Sequence, residues 1–121
     1  MSNLNDLTET VIGCAFTVSN TLGNGFLEKV YEKALTHELE KQHLNVERQK
    51  PIQVIYDGVI VGEYVADLVV ESVLLVELKA VRTLDSIHSA QCLNYLKATG
   101  LSLCLLLNFG SPRVQVKRLA N

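Results

Sequence analysis

The sequence predicts an α/β domain, and three observations carry that reading. Apolar residues recur three and four apart from Leu4 to Leu22, strand-like runs fill Val46 to Val81 around an Asp-Gly turn, and a capped segment from Asp85 leads into two short apolar runs.

The first element follows from Leu4, Leu7, Val11, Ala15, Val18 and Leu22, which line one face of a helix ending near Gly23-Asn24-Gly25. Those glycines lack the Lys-Ser/Thr of a phosphate-cradling loop, and no strand clearly precedes them, so they read as a turn between helices. A second helix is expected from Phe26 to about Gln42, with Glu28 in an apolar arc that includes Leu27, Tyr31, Leu35 and Leu39. A glutamate in such an arc reads as more than surface. Val46 to Tyr56 is strand-like, and Pro51, which has no amide hydrogen to donate, suits a sheet edge. Asp57-Gly58 then makes a hairpin turn into the strand that carries Asp67, and the apolar strand Val73 to Val81 follows. Asp85 caps a helix through about Ala98, which Gly100 ends. Leu103 to Asn108 and Val114 to Leu119 are the remaining strands, joined by Phe109-Gly110-Ser111-Pro112.

With 121 residues, 48% of them apolar, the chain can bury one core and is short for two, so residues 1–121 are expected to form a single domain. The start from Met1 to Asp6 has no basic region before an apolar stretch, and no run approaches the roughly 20 residues of a membrane span. A cytoplasmic protein without membrane contact is the expectation. Cys14, Cys92 and Cys104 are odd in number, widely spaced and set among apolar residues, which reads as reduced core thiols rather than a disulfide or zinc site. His37, His43 and His88 have no metal-pair spacing, and no Gly-X-Ser-X-Gly elbow occurs. A net charge of −2 argues against gripping nucleic acid by bulk electrostatics. The distribution is uneven, however: Lys79, Arg82, Lys97, Arg113, Lys117 and Arg118 face only Asp85 in the last third, compatible with a basic rim around an acidic site.

The chemistry is concentrated in Val73-Leu74-Leu75-Val76-Glu77-Leu78-Lys79-Ala80-Val81. Strand side chains alternate, so Glu77 and Lys79 share a face while Val76, Leu78 and Ala80 take the other. Burying unpaired charge costs several kcal/mol, so leucine or valine at both positions would be more stable. Asp67 is the companion, and parity decides whether it can help. A two-residue loop at Glu71-Ser72 would turn Asp67 away from Glu77, whereas a three-residue loop, Glu71-Ser72-Val73, pairs Val70 with Leu74 and sets Asp67 opposite Glu77. Like charges facing one another repel, and a divalent cation between them removes the repulsion. Mg²⁺ is commonly held by one or two carboxylates plus waters and phosphate oxygens, with Lys79 then a fixed positive charge beside it. Such an arrangement cleaves phosphodiesters.

Asp67 followed ten positions later by Glu77-Leu78-Lys79 resembles the core of the PD-(D/E)XK nuclease superfamily. Gly25-Phe26-Leu27-Glu28-Lys29-Val30-Tyr31 resembles the signature of its GxxExxY family, and Gln91-Cys92-Leu93-Asn94-Tyr95-Leu96-Lys97 and Leu107-Asn108-Phe109-Gly110 resemble later blocks in the right order. The resemblance implies a three-layer restriction-endonuclease-like fold, a mixed central sheet flanked by helices. It also implies Mg²⁺-dependent hydrolysis of nucleic acid, with DNA the expected substrate and Mn²⁺ a substitute ion. Asp67 and Glu77 would bind the metal, with the Leu78 carbonyl a further ligand, and Glu28 would hold a metal-bound water or a second metal. Lys79 would orient the attacking water and Gln91 would position the lysine or substrate. His88 and Tyr95 read as packing and hydrogen-bonding residues. The helix from Asp85 is apolar nearly all round, so an interface, with a homodimer as one option, is expected to cover its extra face. Two other classes compete with the enzyme: a nucleic-acid-binding module that does not cut, and an oligomeric interaction domain whose charges are structural.

Overall fold

The computed structural model describes residues 3–121; Met1 and Ser2, the first two positions of the leader reading, lie outside the described residues. Helix α1 (Leu4–Leu22) starts where Asn3 Oδ1 accepts the Asp6 amide at 2.8 Å, and it buries Leu7, Val11, Ala15 and Val18. Helix α2 (Glu28–Lys41) starts two residues later than periodicity implies. The cause is Tyr31, whose hydroxyl accepts the Phe26 amide at 3.2 Å and donates to the Gly23 carbonyl at 2.6 Å. Leu27 becomes the N-cap residue and is 80% exposed, so it drops out of the arc now formed by Tyr31, Leu35 and Leu39. The Tyr31 ring stacks on Phe109 with centroids 4.8 Å apart.

Five strands, β1 (Val46–Tyr56), β2 (Val59–Val70), β3 (Leu74–Lys79), β4 (Leu103–Asn108) and β5 (Gln115–Ala120), form one sheet in the order β1-β2-β3-β4-β5. Pro51 lies in β1, an edge strand, as its missing amide requires. Neighbours are antiparallel except β3 and β4, whose parallel pairing needs a crossover supplied by α3 (Ser86–Thr99). The sheet is therefore mixed. One face packs Leu68, Val70, Leu74, Val76 and Leu78 against residues of α1 and α2, and the other packs Val69, Leu75, Cys104 and Leu106 against Cys92, Tyr95 and Leu96 of α3. All three cysteines are buried free thiols. Among the described residues no helix is long and apolar enough to cross a membrane.

The turn after β2 is the three-residue one: Val70 pairs with Leu74 across Glu71-Ser72-Val73. Glu71 and Ser72 take left-handed φ of 54° and 58°. Asn45 holds this turn, because its carbonyl accepts the Glu71 amide at 2.8 Å while its own amide donates to Glu71 Oε2 at 2.7 Å. Helix α3 carries the expected Asp85 cap, with Oδ1 accepting the Ile87 amide at 2.8 Å, and His88 Nδ1 returns the favour to the Asp85 amide at 3.1 Å.

The chain leaving β3 is sewn to the chain leaving β4 by fully buried Asn108. Its Oδ1 accepts the Val81 and Gly110 amides, each at 3.0 Å, and its Nδ2 donates to the Val81 carbonyl at 2.9 Å. Gly110 passes so close to the Val81 backbone that a Cβ would collide with it. Gly110→Ala should therefore destabilise the protein by about 1–3 kcal/mol, read as a lower urea midpoint with unchanged slope. An unchanged midpoint would show that this approach is not tight.

Candidate active site

β2 and β3 keep ladder pairing only as far as Leu68 opposite Val76. Continuing the register brings Asp67 level with Glu77, as parity implies, but the strands part there and the side chains take over the ladder. The Asp67 amide donates to Glu77 Oε2 at 2.8 Å, and the Leu78 amide donates to Asp67 Oδ2 at 2.8 Å. Asp67 thus reaches across toward β3 instead of simply facing Glu77. Leu78 joins the site through its backbone, while its side chain is fully buried in the core beneath α1 and α2.

Glu77 is 3% exposed, and burial, followed by the neighbouring Asp67 charge, pushes its carboxyl up to about 9. Asp67 is also raised, by burial first, against the lowering effect of the Leu78 hydrogen bond. In the metal-free protein Glu77 is therefore protonated at neutral pH. Two acids held this close and this dry cannot both ionise without a positive charge to balance them.

Lys79 follows on β3 and makes no ion pair at contact distance among the described residues, although its charge is felt by Glu28, Asp67 and Glu77. Glu28, in the first turn of α2, completes the cluster. Burial raises its carboxyl above the usual range, against the lowering effects of Lys79 and of the nearby Ala80 backbone, while the Asp67 charge adds to the rise.

Two participants were not legible as such in the sequence. Glu32, only 4% exposed, accepts from Gln49 Nε2 at 2.6 Å and pairs with Arg48 Nε at 3.3 Å. Gln49 lies on β1 level with Asp67, has a left-handed φ of 52°, and brings Nε2 within 3.5 Å of Asp67 Oδ1. A non-glycine residue held in that conformation costs about 1–3 kcal/mol, and here the side chain is clamped between two carboxylates. The available signal was the spacing of Glu28 and Glu32, which places both on one face of α2 one turn apart.

Gln91 stands on α3, outside the hydrogen bonds that join Asp67 and Glu77. It lines a groove between α3 and the β1–β2 hairpin, and among the described residues no hydrogen bond joins it to Asp67, Glu77 or Lys79. Nor do all the late basic residues form a rim: Arg118 ties β5 to α1 through Thr8 Oγ1 at 3.1 Å and Asn5 Oδ1 at 2.8 Å.

Among the described residues, no group of three or more His, Cys, Asp and Glu is gathered to hold a metal ion. Asp67 and Glu77 suit a hard cation bound by two carboxylates and otherwise by water and substrate oxygens. Asp67 and Glu77 supply oxygen donors only, with mutual repulsion that a divalent ion would relieve.

The chain matches a family model described as the PD-(D/E)XK nuclease superfamily over residues 5–119. No curated protein matches it at a comparable level. Its structure is similar to one described as "Crystal structure of SSO0001", with a TM-score of 0.57 and 16% identity over 77% of this chain and 49% of the other. The chain spans about half the length of that neighbour. At this identity the likeness concerns the fold, which is restriction-endonuclease-like.

Proposed function

We propose, for a chain that belongs to the PD-(D/E)XK nuclease superfamily, that it hydrolyses nucleic-acid phosphodiester bonds with the help of a divalent cation. The observation that carries this reading is the mutual capture of Asp67 and Glu77 where β2 and β3 part, with Lys79 two residues on and Glu28 arriving from α2. Gly25, Glu28 and Tyr31 favour the GxxExxY branch. The same reading takes residues 1–121 as one domain, working in the cytoplasm on DNA, with Mg²⁺ as the natural ion and Mn²⁺ as a substitute. The reading also allows a homodimer.

Glu28 would hold a metal-bound water or a second metal, and Asp67 and Glu77 would hold the cation, with the Leu78 carbonyl as a further oxygen donor. Bound there, it supplies Lewis-acid polarisation of a phosphoryl oxygen. Lys79 places its ammonium where negative charge grows on the phosphate and orients the attacking water. Glu28 accepts a hydrogen bond from that water and so fixes its approach. Gln91 positions the strand from the groove on the α3 side.

The test is an assay of purified protein on single-stranded, double-stranded and branched DNA and on RNA, with Mg²⁺, Mn²⁺ or EDTA. Cleavage with either cation and none in EDTA is the expected result. Intact substrates in every arm would overturn the proposal.

A further inference from the structure

The groove beside the carboxylates has a volume of about 690 Å³ and is walled by the β1–β2 hairpin on one side and α3 on the other. Val54, Ile55, Ile87, Ala90 and Ala98 make its lining largely apolar, with aromatic and polar groups set among them. Tyr64 and Tyr95 meet across it with ring centroids 5.6 Å apart; Tyr95 is 6% exposed, whereas Tyr64 is 51% exposed. Gln53, Gln91 and Asn94 supply amides, and Lys97 is the one charged side chain lining it among the described residues. Among the described residues no carboxylate lines it.

We propose that this groove binds an unpaired segment of nucleic acid, with a base stacked on Tyr64 and a phosphate near Lys97, leading the strand to Asp67 and Glu77. The proposal rests on the phosphodiester reading above for the strand's destination. Exposed aromatic rings accept any base face, amides satisfy base edges, and a lone cation without opposing acid suits a polyanion. Position agrees as well. Tyr64 precedes Asp67 by three residues on β2, which is about 10 Å along a strand, and Tyr95 packs close enough to feel the charges of both Glu77 and Asp67.

The same features select against a duplex. Its bases are stacked inside and cannot reach Tyr64, and duplex binding draws its affinity from many phosphate contacts. Here one lysine lines the groove and the chain carries a net charge of −2.

The experiment is fluorescence anisotropy in EDTA with labelled single-stranded DNA, single-stranded RNA and duplex DNA of about twelve nucleotides, within the span such grooves cover. Wild type, Tyr64→Ala and Lys97→Glu are compared, each checked by thermal melting. Both substituted side chains are exposed, so folding is expected to survive. Single strands should bind more tightly than duplex, and Tyr64→Ala should weaken them about five- to a hundredfold. The tighter of the two single strands identifies the sugar. Duplex bound as well as single strand, or single-strand affinity unmoved by both substitutions, would overturn the proposal. Tyr64-dependent binding without cleavage in Mg²⁺ or Mn²⁺ would keep the groove and remove the hydrolysis reading. Cleavage indifferent to both substitutions would do the reverse.

Discussion

Lys79→Ala should lower the single-turnover cleavage rate on the order of 10²–10³-fold while leaving divalent-cation binding largely intact. The separation of effects follows from where the groups sit. Asp67 and Glu77 are the oxygen donors and share their hydrogen bonds with the β2 and β3 backbones, whereas Lys79 has no ion-pair partner at contact distance among the described residues. Its ammonium is thus free to meet charge that develops on substrate. Arginine should rescue poorly, because a planar fork cannot occupy the compact position of an ammonium. Cleavage by Lys79→Ala at the wild-type rate would assign any activity to another site or to a contaminant.

Glu77→Gln should leave the metal-free protein as stable as wild type or more so, and should weaken Mg²⁺ or Mn²⁺ binding. Because the Glu77 carboxyl rises from 4.5 to about 9 on folding, the folded state holds its proton more tightly than the unfolded chain does. Stability from this group is complete below about pH 4.5 and is lost as pH rises toward 9. The loss is on the order of 1 kcal/mol per pH unit within that window. Asp67 and Glu28 are raised too and act in the same direction. Glutamine keeps an acceptor for the Asp67 amide and has nothing to ionise, so its unfolding free energy should vary less with pH. Chemical unfolding across pH 5 to 9 in EDTA, for both proteins, measures the difference. A structural ion pair would answer differently: breaking one costs about 3–5 kcal/mol, so marked destabilisation with metal binding intact would favour the interaction-domain reading.

Local rules made much of this molecule legible. Parity reduced the turn after β2 to two alternatives with opposite consequences for Asp67, and the three-residue one at Glu71-Ser72-Val73 is the one formed, with Leu68, Val70, Leu74 and Val76 on one face of the sheet. Pro51 marked an edge and Asp85 a cap for the same reason: each acts within a few residues of itself. Gln49 was hidden because nothing near it in the chain requires a left-handed backbone. Its partners, Glu32 and Asp67, lie 17 and 18 residues away and meet it only after α2 docks on the sheet. Glu32 was hidden likewise, for its burial depends on Arg48 and Gln49 closing over it. The start of α2 moved because a tyrosine hydroxyl, not a short capping side chain, claims the Phe26 amide. Gln91 resembles a residue that completes such sites, and it lines the groove beside α3, a placement that its position in the helix alone does not specify.

The stacked rings of Tyr31 and Phe109 have a mechanical consequence. Tyr31 stands in α2 one turn after Glu28, and the Phe109 amide is bonded to the Lys79 carbonyl at 2.8 Å. Glu28 and Lys79 are thereby linked through one aromatic stack inside the core. A change in the stack would therefore shift the backbones that carry them without touching either charged side chain.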